Sequence, residues 1–137
     1  MNKLFSGEMK LNEFGSLSLA FVGDSVFDLF VREYLIEKGN CPAKKLHAQA
    51  VKIVNCAAQA RFLNEVLMPA LTEEEADVCR RGKNAHVNHV PKNANISDYH
   101  GATALESLFG YLYLQGNIDR VRHLFQMIVE SIEDAAK

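Results

Sequence analysis

The chain has 137 residues, 48% of them hydrophobic and 23% charged, which is the make-up of one ordinary globular domain and excludes a disordered segment. Fifteen Lys and Arg stand against seventeen Asp and Glu, a formal charge of −2 that taken alone speaks against a polyanionic partner. The best apolar run, Leu19 to Val31, carries Asp24 and Asp28 and is shorter than the ~18 residues of a membrane span, and no export signal core follows Lys3.

Residues 1–13 read as an N-terminal arm and residues 14–137 as one domain, with helical periodicity throughout. Ser16 is placed to cap a helix running to about Ile36 and ended by Gly39, with Leu19, Val22, Val26, Phe30 and Ile36 near helical spacing. Pro42 opens a second helix containing Leu46, Ala50 and Ile53. Asn55 caps a third, which turns Ala58, Phe62, Val66 and Leu67 inward and is expected to stop at Pro69. Thr72 and Glu75 form a capping box for a fourth helix, whose last turn holds Arg80 and Arg81 before Gly82 as the residue just past its end. Residues 82–95 form a polar loop, and Ser97 or Asp98 starts a fifth helix through Leu105, Leu108, Phe109 and Leu112 to Gly116. Asn117 caps a sixth with Ile118, Val121, Leu124, Phe125, Ile128 and Ile132. Alternating period-2 runs joined by hairpin turns are absent, so the fold class is all-α, a bundle of about six helices.

The cysteines, Cys41, Cys56 and Cys79, are odd in number and lack C-x-x-C spacing, as suits reduced thiols in a cytoplasmic protein. Their surroundings offer neither a redox motif nor an evident base for a nucleophile. His86 and His89 lie three apart with no cysteine or acid nearby, a poor zinc site.

The net charge hides a strong segregation. Between Glu37 and Glu65 stand Lys38, Lys44, Lys45, Lys52 and Arg61 with no acid, and between Asp77 and Asp98 stand Arg80, Arg81, Lys83 and Lys92, again with none. Those windows hold nine positive charges, and the remainder carries six bases against seventeen acids. Such windows can attract a polyanion, although a solvated charged face would look the same.

Two carboxylates sit within apolar helices: Asp24 in LAFVGDSVFDLF and Glu106 in TALESLFGYLYL. An ionised carboxylate buried without a partner costs several kcal/mol, and neither helix interior offers a buried arginine to pair with it, Arg32 lying eight residues beyond Asp24 and nearer Asp28. Either both acids point outward, or a cation shared between the helices compensates them; magnesium, which takes one or two carboxylates plus water and phosphate oxygens, fits so sparse a set. Gly23 precedes Asp24 and Gly110 follows Glu106 by four. Glycine inside a helix costs ~1 kcal/mol against alanine, so both positions call for close helix approach.

Three segments together resemble a known family. LSLAFVGDSVFDLFV resembles the signature helix of the ribonuclease III endonuclease domain, and ATALESLFGYLYLQG its second catalytic helix. RRGKNAHVNHVPKNANISDY is similar to the R-G-[RK]-N-A…P-K-N stretch of the Mini-ribonuclease III subgroup, which lacks the double-stranded-RNA-binding domain; no appended domain is expected here either. The resemblance runs from about Leu17 to Ile128. It places Asp24 and Glu106 on the two carboxylates that bind catalytic Mg²⁺, while Ala20 and Thr103 stand where larger members carry acids, as in the Mini subgroup.

The resemblance implies a homodimer through the signature helix, two catalytic centres along one basic cleft, and products with 5′-phosphate and 3′-hydroxyl ends. It further implies an endoribonuclease acting on double-stranded precursor RNA of the large ribosomal subunit, with Arg80, Arg81, Lys83, Asn84, Lys92 and Asn93 as RNA-binding residues and Lys44, Lys45 and Lys52 in support. A non-catalytic helical RNA-binding module of the same fold is the competing reading. No membrane partner is expected.

Overall fold

Local signals start most of these helices and end several of them, and contacts between helices decide the rest. The structure, a computed structural model, describes residues 3–5, 7–85, 92 and 95–137. Those residues form six α-helices and no strand: α1 (Ser16–Glu37), α2 (Ala43–Val54), α3 (Cys56–Arg61), α4 (Glu73–Lys83), α5 (Ile96–Leu114) and α6 (Ile118–Ala135). No described helix is long and apolar enough to cross a membrane.

Side-chain caps appear where short-range chemistry supplies them. Asn55 closes α2 by donating from Nδ2 to the Val51 carbonyl at 2.9 Å, and opens α3 by accepting the Ala58 N–H at 2.8 Å. Thr72 and Glu75 complete the capping box of α4, Asn95 accepts from Ser97 and Asp98 at the start of α5, and Asn117 accepts from Arg120 at the start of α6. Gly39 and Gly116, both at positive φ, turn the chain out of α1 and α5.

Three sequence expectations are corrected. Gly15, not Ser16, occupies the N-cap of α1, and the Ser16 carbonyl instead accepts the buried Ser107 hydroxyl of α5 at 3.0 Å. Pro69 does not stop the third helix. The chain stays helical through a π-turn at Phe62–Leu67 and a 3₁₀ turn at Met68–Ala70, with the Met68 N–H reaching back to Leu63. Proline lacks an N–H and crowds the carbonyl four residues earlier, and the widened turn relieves that crowding. Gly82 lies inside α4 rather than beyond it. A Cβ there would come within 2.8 Å of Ser107 Oγ and 3.0 Å of Ala104 Cα, so its lack of a side chain serves packing on α5 rather than a turn.

α5 is the central element, buried on nearly every side from Gly101 to Leu112. Small residues admit its neighbours: Gly101 faces Ala60 of α3, Gly82 meets Ala104 and Ser107, and Gly110 crosses Gly23 of α1. At that last crossing a Cβ on Gly23 would overlap the Glu106 carbonyl oxygen, and one on Gly110 would overlap that of Leu19. Around the crossing Phe27 packs edge-on to Phe109 at 5.4 Å and to Phe125 at 5.9 Å.

One ion pair that the sequence did not announce ties α4 to α6. Arg120 donates from Nε and Nη2 to both oxygens of the buried Glu75 at 2.8 Å, and from Nη2 to the Ala70 carbonyl at 2.9 Å. The Arg120 guanidinium holds the Glu75 carboxyl below the usual carboxylate range, against the opposing effect of burial.

Gly23→Ala should therefore destabilise the chain by about 3 kcal/mol or more, the upper end for overpacking, because the obstruction is backbone rather than a movable side chain. Urea denaturation of the variant checks this, and a loss below about 1 kcal/mol would mean that the two helices are free to separate.

Candidate active site

The Gly23–Gly110 crossing fixes where the two carboxylates lie. Gly23 rests on the backbone of Glu106 itself, so the next residue of α1, Asp24, comes beside the Glu106 side chain. Asp24 is exposed, whereas Glu106 is partly buried. Placing both acids in apolar surroundings therefore needs correcting for Asp24, which stands at the rim because only its glycine neighbour is pressed between the helices.

Burial, first, and then a hydrogen bond to Asp24 and its charge push the Glu106 carboxyl up to about 8, while a hydrogen bond from Gln59 works in the opposite direction. Gln59, buried on α3, donates from Nε2 to the Val54 carbonyl at 2.8 Å and to Glu106 Oε2 at 3.5 Å. Sequence reasoning missed it. The one available signal was a polar residue among the alanines of CAAQAR, and its partners are distant in sequence.

Two neighbouring carboxylates, that of Glu106 raised by burial and by Asp24, form with the neutral amide of Gln59 an all-oxygen set short of positive charge. No group of three or more His, Cys, Asp or Glu side chains converges among the described residues. The set therefore fits a hard divalent cation that completes its shell with water and phosphate oxygens, and it does not suit zinc. Ala20 and Thr103 are buried on the same two helices, and the Thr103 hydroxyl donates to the Tyr99 carbonyl at 3.0 Å. Neither can supply a charged ligand. Cys56 lies near enough that burial, followed by the charges of Glu106, Asp98 and Asp24, raises its thiol. Burial pushes Cys79 up to about 12. Both effects disfavour a thiolate nucleophile.

The basic residues lie on α4 and beyond it. Arg80 and Arg81 are exposed, and both ion-pair with Asp77, Arg81 at 3.2 Å. Lys83 ends α4, and Asn84 caps it with its N–H on the Arg80 carbonyl. Through Gly82 this end of α4 packs on Ala104 and Ser107, the latter adjacent to Glu106. Lys92 is exposed, as are Lys44, Lys45 and Lys52 of α2; His86, His89 and Asn93 lie outside the described residues.

A second surface surrounds the outer face of α1. Phe21 is 80% exposed and Leu29 57%. They border a groove of about 660 Å³ with Val22, Val26, Phe30 and Tyr113. The arm reaches this region through Leu4, whose N–H donates to the Tyr113 hydroxyl at 2.6 Å.

Comparison with known proteins gives the family and the fold. Residues 17–117 match the family model of the ribonuclease III domain. The chain is 44% identical over 117 residues to a Mini-ribonuclease 3 of Symbiobacterium thermophilum, covering 85% of this chain and 89% of that protein. It is 35% identical to a Mini-ribonuclease 3 of Clostridium tetani over 142 residues, covering 100% of this chain and 93% of the relative. A crystal structure of a Fusobacterium nucleatum protein superposes with a TM-score of 0.81 at 25% identity, over 89% of this chain and 99% of that one.

The raised Glu106 carboxyl sets a pH dependence. The unfolded carboxyl has an ordinary value of about 4.3, so between that pH and about 8 the folded chain holds a proton that the unfolded chain has released. Without divalent cations, stability should fall as pH rises through this window and level off above it. Glu106→Gln should remove that slope, as thermal melts in a chelator across pH 4–9 would reveal; an unchanged slope would assign it to other groups.

Proposed function

Because the chain belongs to the ribonuclease III family, in its Mini-ribonuclease 3 branch, and is therefore an endoribonuclease, we propose that it is Mg²⁺-dependent, cleaves double-stranded regions of RNA, and matures the ends of the 23S (large-subunit) rRNA precursor. The observation that carries the chemistry is the pairing of Asp24 with the partly buried Glu106 across the Gly23–Gly110 crossing. The rRNA assignment is supported by the motif resemblance to Mini-ribonuclease III.

Asp24 and Glu106 would hold Mg²⁺, with water and substrate oxygens completing the shell. When bound, the cation polarises the scissile phosphate and lowers the pKa of a water. Asp24, at the exposed rim, faces arriving RNA; Glu106, anchored on the buried helix α5, fixes the position of the pair. The reaction leaves 5′-phosphate and 3′-hydroxyl ends. Duplex RNA is recognised through phosphates and 2′-hydroxyls. Arg80, Arg81, Lys83 and Lys92 neutralise phosphates, with Arg80 and Arg81 exchanging Asp77 for them, and Asn84 and Asn93 bond sugar edges. Residues 14–137 make up the catalytic domain, residues 1–13 an arm, and the site of action is the cytoplasm.

Two copies pair through α1. An exposed Phe21 beside a largely apolar groove on the same helix, edged by Glu33, Asp119 and Arg122, is self-complementary under a two-fold axis, where each phenyl enters the other copy's groove. Pairing also brings two carboxylate sites into one assembly, as staggered cutting of both strands needs.

Asp24→Asn should reduce Mg²⁺-dependent cleavage of a duplex precursor by at least about 10³-fold, since a metal centre supplies several kcal/mol, while RNA binding persists. Unchanged cleavage would favour a different centre. In the same binding assay, replacing Arg80, Arg81 and Lys83 together by Ala should lower the slope of log K against log salt by about 2–3.

Phe21→Ser should shift the chain from dimer to monomer in sedimentation equilibrium. A dimer unaffected by the change would place the interface elsewhere.

A further inference from the structure

Gln59 is 3% exposed, on the face of α3 that approaches α5. The approach is tight: a Cβ on Gly101 would come within 2.7 Å of the Cβ of Ala60, the next residue. The Val54 carbonyl, 2.8 Å from Nε2, settles which end of the amide carries the protons, because a carbonyl can only accept. That leaves Nε2 pointing also to Glu106 Oε2 at 3.5 Å, and Oε1 buried with no hydrogen-bond partner among the described residues.

A buried acceptor without a partner costs about 1–3 kcal/mol, and an apolar side chain of the same shape would avoid that cost. Neighbouring Ala58 and Ala60 are apolar and equally buried. The fold therefore gains nothing from the oxygen of Gln59, and the charged group that its amide reaches is Glu106.

We propose that Gln59 is a positioning residue of the carboxylate pair: Nε2 orients Glu106, and Oε1 accepts a hydrogen bond from a water of a hydrated divalent cation at Asp24 and Glu106. This inference rests on the reading of that pair as a cation site. Carboxylate ligands are commonly held by a further hydrogen bond of this kind, and its loss weakens metal binding by about 10–100-fold. A neutral amide suits the place, because a third carboxylate would add to the charge that Glu106 already resists, and a lysine would displace the cation.

The experiment measures Mn²⁺ binding by calorimetry on the full chain, without RNA, for the wild type, Gln59→Met and Asp24→Asn. Gln59→Met should weaken Mn²⁺ binding about 10–100-fold while its melting temperature in a chelator stays equal to or above that of the wild type, a combination that a merely structural role would not give. If Gln59→Met binds Mn²⁺ as the wild type does and Asp24→Asn does not, the positioning role is overturned and the cation site stands. If Asp24→Asn also binds normally, the cation site itself is wrong and the positioning role falls with it. Should Gln59→Met fail to fold, the wild type decides: the Gln59 side-chain amide resonance should shift on Mg²⁺ titration in step with the backbone amides of Asp24 and Glu106. An unmoved resonance, with those two shifting, overturns the proposal.

Discussion

Everything at the site depends on two helices touching backbone to backbone. α1 and α5 cross at Gly23 and Gly110 with no room for a Cβ on either, and that contact brings the carboxylates together. Side chains packed between two helices ordinarily hold the axes 8–10 Å apart. Removing them at the crossing lets the neighbouring residues, Asp24 on one helix and Glu106 on the other, come close enough for their charges to interact. The cost, about 1 kcal/mol for each glycine within a helix, is offset by the aromatic cluster of Phe27, Phe109 and Phe125 just below.

The same rule recurs along α5. Gly101 against Ala60, and Ala104 with Ser107 against Gly82, bring α3 and α4 to the central helix by removing bulk. The α3 contact delivers Gln59 to Glu106, and the α4 contact seats on Ala104 and Ser107 a basic C-terminal turn, where Arg80, Arg81 and Lys83 also complement the negative end of the helix dipole. A helix buried on nearly all sides is thus the frame for a polar site, because small residues let polar neighbours approach without exposing the core.

What could be read from the sequence is what short-range chemistry determines. The Thr72–Glu75 box and the asparagine caps at 55 and 117 depend on residues three apart, and all formed. The helix-interior glycines at 23 and 110 were informative because their cost is local while their benefit cannot be. Gly82 misled for the converse reason: after two arginines it has the local look of a helix end, and only its contact with Ser107 explains it. Pro69 misled because the widened turn before it depends on packing. Arg120 with Glu75, and Gln59 with Glu106, span 45 and 47 positions, beyond any periodicity. The charge windows were real in the sequence, yet Arg80 and Arg81 fold back onto Asp77, the acid at the window's edge.

Ala20 and Thr103 complete the electrostatic argument. They precede Asp24 by four residues and Glu106 by three, so each shares a helix face with its carboxylate, and both are buried, at 7% and 6% exposure. Acids in their places would bring four carboxylates to one crossing, where burial, first, and then the neighbouring Asp24 already push Glu106 up to about 8. With Ala20 and the internally bonded Thr103, this chain brings two acids, Asp24 and Glu106, to its helix crossing. The ligand places that the absent acids would fill are thereby left to water and to the oxygens of a phosphate, so that on the proposed function the substrate's own charge helps to complete the cation site.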